Sequence, residues 1–98
     1  MSEGKPTYPV AASVVTGALV DWIHDLPGGA DLLHGAMALH HAGNWGGVED
    51  PEHNDENLRT GGQLLSVWQI AGRKVWVISD PPDEHGARVV TALFPEDY

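Results

Sequence analysis

Leu64-Leu65-Ser66-Val67-Trp68-Gln69-Ile70, the turn Ala71-Gly72-Arg73, and Lys74-Val75-Trp76-Val77-Ile78-Ser79 form the stretch on which the fold turns. Two runs rich in Val, Ile, Leu and Trp flank a connection short enough for a tight hairpin, with Gly72 supplying a positive φ. Arg88 to Phe94 is a third run of the same kind, so three antiparallel strands in a meander are expected. The connection from Asp80 to Gly86 is longer, and Pro81 and Pro82 keep it out of any ladder. Alternation puts Leu64, Ser66, Trp68 and Ile70 on one face, with Leu65, Val67 and Gln69 on the other. Val75 and Val77 likewise oppose Trp76 and Ile78, so both faces are apolar. Helices should cover one face, leaving the other to the N-terminal strand region, a loop or a second subunit.

Upstream the pattern changes. Val10 to Val15 is apolar and β-branched enough for a short strand, and Thr16 is placed to cap a helix through Asp21, Trp22 and Ile23 that Pro27-Gly28-Gly29 ends. Asp31 reads as the cap of a second helix in which Leu32, Leu33, Ala36, Met37, Leu39 and His40 recur at helical spacing, with Gly43 as its stop. Asp50 followed by Pro51 predicts a third helix, carrying Glu52, Asp55 and Glu56 near its positive end and closed by Gly61. Helices first and hairpins second give an α+β class: a short N-terminal strand and helices packed on a three-stranded antiparallel C-terminal meander. The 98 residues, 42% apolar, fit a single domain over 1–98, with 1–9 as a flexible lead-in.

Composition removes several functions. With no cysteine there is no disulfide, thiolate zinc site or thiol nucleophile, and a reducing, cytoplasmic setting is the simplest. Val10 to Val15 is far short of the roughly 20 residues that span a bilayer, so no membrane is expected. Fourteen acids against five Lys and Arg give a net charge of -9, which repels phosphate backbones. Lys5, Arg59, Arg73, Lys74 and Arg88 are scattered, so direct nucleic-acid binding is not expected, whereas a basic protein would be attracted.

His34, His40, His41 and His53 lie near Glu49, Asp50 and Glu52, and imidazole with carboxylate is a metal-ligand set. A small metal-dependent enzyme using His40, His41 or His53 with an acid from 49 to 56 is therefore one alternative. Its spacing is poor: helical ligands sharing a metal stand three or four apart, whereas His34 and His41 are seven apart. His40 shares a stripe with Leu33 and Met37, where a packed, hydrogen-bonded histidine is the ordinary outcome. The glycine pairs at 28, 46 and 61 lack the Lys-Ser or Lys-Thr of a phosphate loop, and Ser13, Ser66 and Ser79 lack a nucleophile elbow. No cofactor is called for. Glu49, Asp50, Glu52, Asp55 and Glu56 run without a cation and could present a negative face that imitates a duplex's phosphates. Trp45, between glycines, is either an exposed anchor or a lid on the preceding helix.

Ala42-Gly43-Asn44-Trp45-Gly46, Asp55-Glu56-Asn57-Leu58-Arg59-Thr60-Gly61 and Leu93-Phe94-Pro95-Glu96-Asp97-Tyr98 together resemble a family of small uncharacterised bacterial proteins common on plasmids and integrative elements. Members read "GDWG", then "NE" and "LR-G", and end "LLPEEY". Leu64-Leu65-Ser66-Val67-Trp68 and Val75-Trp76-Val77-Ile78-Ser79 stand at matching places. The likeness spans residues 33–98, and the segment from Asp80 to Arg88 departs from it by being longer and containing Pro81 and Pro82. It implies a mobile-element setting and no activity. The leading expectation is a non-enzymatic acidic interaction protein, possible counter-defence included, that engages a protein partner such as a basic nucleic-acid-binding protein through Trp45, Glu49, Asp50, Glu52, Asp55 and Glu56. A structural homodimer is the third expectation.

Overall fold

The structure is a computed structural model describing residues 8–98. β1 (Val10–Val15) leads to α1 (Gly17–Asp25), α2 (Gly29–His41) and α3 (Pro51–Thr60), followed by β2 (Leu64–Ile70), β3 (Arg73–Ser79) and β4 (Arg88–Leu93). A 3-10 turn over Pro95–Asp97 ends the chain. The expected meander is present as β2-β3-β4, with Val67 opposite Trp76 and Ile78 opposite Thr91. It is not the whole sheet. β1 pairs in parallel with β4, giving a four-stranded mixed sheet of order β1-β4-β3-β2. Joining β1 satisfies the second edge of β4, which a three-stranded meander would leave open, and the helices between them supply the crossover a parallel pair requires.

Thr16 stands at the N-cap of α1, but its hydroxyl makes no capping bond and Oγ1 is buried without a partner among the described residues. α2 begins two residues ahead of the cap read from Asp31: Gly28, at φ 69°, is the N-cap and Asp31 lies in the first turn. The left-handed backbone that Gly28 permits turns the chain from α1 into α2 more tightly than an aspartate cap could. α3 follows its sequence signals, with Asp50 accepting from the His53 N–H and Gly61 left-handed at the C-terminus.

α1 and α2 pack on the face built by Leu64, Ser66, Val75, Val77, Ser79, Val90 and Ala92, all buried, together with Leu19, Ile23 and Leu33. The lead-in expected to be flexible over 1–9 falls outside the described residues as far as residue 7, but Tyr8 is in this core. Among the described residues no helix is long and apolar enough to cross a membrane.

Candidate functional site

Two polar assemblies stand out, one sealed inside the core and one open beside α3. The sealed one centres on His40, which is fully buried. Its Nδ1 lies 2.6 Å from Ser66 Oγ and its Nε2 lies 2.7 Å from Ser79 Oγ. Trp68 Nε1 donates to Ser66 Oγ at 2.6 Å, and the Tyr8 hydroxyl meets Ser79 Oγ at 2.5 Å. One tautomer places every proton of this chain. Trp68 donates to Ser66, the Ser66 hydroxyl donates to Nδ1, Nε2–H donates to Ser79, and the Ser79 and Tyr8 hydroxyls share the remaining bond. A protonated imidazole would need both serines as acceptors and would strand the Ser66 hydroxyl proton. Burial, reinforced by His41 and Arg88, lowers the His40 pKa from 6.5 to about 4. Burial likewise raises that of Tyr8, against the Ser79 hydrogen bond and the Arg88 charge. The relay ties α2 to β2 and β3, and His40 fills the packed role that its helical stripe suggests.

The neighbouring histidines are engaged separately. His41 Nε2 donates to the Tyr8 carbonyl at 2.6 Å, and His53 Nε2 accepts from the Asn57 amide at 3.2 Å. Among the described residues no three of His, Asp and Glu gather where a metal ion could be held. The arrangement of His40, His41 and His53, each engaged with a different partner, does not fit a shared metal.

The open assembly lies along β2, which forms one edge of the sheet. Gly46 bridges Val67, and at φ 59° a Cβ there would stand 2.2 Å from the Val67 carbonyl oxygen, so only glycine fits. Gly47 N–H donates to the same carbonyl at 2.8 Å, and Val67 N–H donates to Trp45 C=O at 3.3 Å. One turn along, the Asn54 side chain accepts from Leu65 N–H and donates to Leu65 C=O, standing in for a neighbouring strand. These contacts cap the edge and hold the segment from Trp45 to Asp50, with α3, against the sheet.

A cleft of about 570 Å³ opens between them. Val48, Leu65, Val67 and Trp76 give it an apolar floor; Glu49, Asp50, His53, Asn57, Gln63 and Lys74 give it a polar rim. The Tyr98 ring stands edge-on to Trp76 at 5.8 Å.

The six residues expected to meet a partner divide in this geometry. Trp45 is not an exposed anchor: it is 5% exposed, lies edge-on to His40 at 5.4 Å and donates from Nε1 to Asp55 at 2.9 Å. It is the lid over the end of α2. The glycines around it allow close approach to β2, not projection into solvent. Asp55 is thereby occupied, Asp50 caps α3, and Glu56 pairs with Arg59 at 2.8 Å. Glu49 and Glu52 are exposed, and their side chains make no hydrogen bond or ion pair with a described residue. Glu49 and Asp50 line the cleft; Glu52, Asp55 and Glu56 do not. Trp76 and Lys74 also line the cleft, and no motif in the sequence marks them as site residues. Their signal was their shared parity on β3, facing away from the strand positions that the helices cover. Comparison with protein-family profiles, curated proteins and solved structures gives no match.

Proposed function

We propose that the protein is a non-enzymatic interaction module that takes a basic segment of a protein partner into the cleft beside α3. What carries this reading is the combination of the unpaired Glu49 and the Asp50 carboxylate with the Trp76 floor of one open cleft. A lysine or arginine entering there meets carboxylates and an aromatic ring in the same cleft, two contacts that favour cations together. The net charge of -9 favours encounter with a basic partner at long range. A nucleic-acid-binding protein of the host has the required surface, and the sequence resemblance supports a mobile-element setting in which masking such a protein acts as counter-defence.

The test is an immobilised array of random-sequence peptides probed with the labelled chain at low and high salt. Peptides rich in Lys and Arg should be retained preferentially, and Glu49→Lys should reduce retention at least tenfold at an unchanged melting temperature. Equal retention of acidic and basic peptides, or retention indifferent to Glu49→Lys, would overturn the proposal.

A further inference from the structure

The two edges of the sheet are treated differently. On β2 the outward backbone groups of Leu65 and Val67 are taken by Asn54 and by the segment from Trp45 to Gly47. On β1 no described residue does this. Thr16 N–H donates to Ala92 C=O, which points Ala12 and Val14 of this parallel strand toward β4 and Ser13 and Val15 away from it; the parity changes at the irregularity before Ala12, where Arg88 N–H donates to Pro9 C=O. No hydrogen bond from another described residue reaches the outward backbone groups of Ser13 and Val15. The strand Val-Ala-Ala-Ser-Val-Val contains no charge, proline or glycine, and Val10 to Val14 are all exposed. Among the described residues the usual protections of an edge strand are absent apart from one irregularity between Val10 and Ala12.

We infer that β1 pairs antiparallel with β1 of a second copy of this chain, making one continuous eight-stranded sheet. The strand is self-complementary about Ser13. With Ser13 on the two-fold axis, Ala12 of one copy lies opposite Val14 of the other, so that valine meets a small residue, and Val15 falls beside the irregular turn of the partner strand at Ala11. Val15 lines a hollow with Ile23, Leu33 and Met37. Ser13 faces α2, where a separate cavity of about 300 Å³ between Ser13, His34, Met37 and His41 opens at this edge. Across the axis the second copy's strand and helix would close it. Charge agrees with this choice of edge. β1 is uncharged, and the acidic run of 49–56 flanks β2, three strand spacings or about 14 Å away across the sheet. Pairing through β1 therefore holds those acidic segments apart and leaves both clefts open.

The absence of cysteine makes the test direct. Facing residues in an antiparallel hydrogen-bonded pair have Cα atoms about 5.5 Å apart, within disulfide reach. Ser13→Cys should oxidise to a covalent dimer at micromolar protein, whereas Gln69→Cys on the opposite edge should not. Sedimentation equilibrium of the unmodified chain should show a concentration-dependent doubling of mass. Val14→Lys, which puts a charge on the joint, and Ser13→Pro, which removes an outward N–H, should each shift that equilibrium at least tenfold toward monomer while retaining the native circular-dichroism spectrum. A monomer at every concentration, Ser13→Cys cross-linking no faster than Gln69→Cys, or a dimer indifferent to both substitutions would overturn the inference.

Discussion

The indole nitrogen of Trp45 donates to the carboxylate of Asp55 across 2.9 Å, fastening the segment after α2 to the middle of α3. An acid that looks like part of a solvated face is thus a structural acceptor for a buried ring. Asp55→Ala leaves that indole N–H unpaired and should cost about 1–2 kcal/mol in urea unfolding, with a change in tryptophan fluorescence. Glu56→Ala removes only an exposed pair with Arg59 and should cost about 0.5 kcal/mol or less. Equal costs would mean that Trp45 gains nothing from its acceptor. The contrast also decides which acids report on binding: Glu49, ahead of α3 and without a partner among the described residues, can be reversed without disturbing the fold, and Asp55 cannot.

His40 makes stability depend on pH in a defined direction. Its pKa falls from 6.5 to about 4 on folding, so the native state binds fewer protons than the unfolded chain between those values. The contribution is complete above about pH 6.5 and is lost as pH falls toward 4. Between pH 7 and pH 5 the loss from this residue is on the order of 2 kcal/mol. His40→Gln, which cannot titrate, should be less stable at pH 7 and show a correspondingly flatter profile over that interval. An identical slope in the two proteins would assign the pH dependence to other groups.

Arg88 is 2% exposed and has no ion pair with a described carboxylate. Its guanidinium donates to the Gly62 carbonyl at 2.6 Å, Asp80 at 3.2 Å and Asn57 at 3.3 Å, and lies 5.3 Å from the Tyr8 ring centroid. Burial lowers its pKa, partly opposed by Tyr8. These carbonyls include one from the last turn of α3, where a cation also meets the negative end of the helix dipole. Arg88→Met preserves much of the volume but leaves three carbonyls without this donor, and should cost about 2–4 kcal/mol by chemical denaturation. Arg88→Lys, a single donor point, should recover only part of it. Full recovery by lysine would show that charge alone, without the guanidinium fork, sustains the site.

The parts legible from sequence are those set by local chemistry. Asp50-Pro51 and Gly61 delimit α3 because caps act within a few residues, and the alternating runs after Leu64 state their own pairing. The parallel placement of β1 against β4 depends on residues more than 70 positions apart, and no local signal records it. The relay was half visible: the stripe of α2 predicts a buried His40, but Ser66 and Ser79 become its partners only after the hairpin lies beneath that helix. The cleft was less visible still. Its floor belongs to β2 and β3 and its acids to the approach to α3, and the two meet only through the capped edge at Leu65 and Val67.

The hairpin between β2 and β3 holds one residue against its preference. Ile70 pairs with Arg73, leaving Ala71 and Gly72 as a two-residue loop with φ of 49° and 80°. Two successive positive φ values are the signature of a type I′ turn, whose twist matches the flanking strands. Glycine takes this conformation freely at the second position, whereas alanine at the first meets its own Cβ. No other non-glycine among the described residues has positive φ. Ala71→Asn supplies the residue that such turns favour and should raise stability by about 0.5–1 kcal/mol in urea unfolding. Ala71→Gly relieves the same strain but widens the unfolded ensemble, so it should gain less than asparagine. Ala71→Val, branched at Cβ, should lose at least about 1 kcal/mol. Asparagine at or below the original stability would mean that the turn is held by its strands with no strain left to relieve.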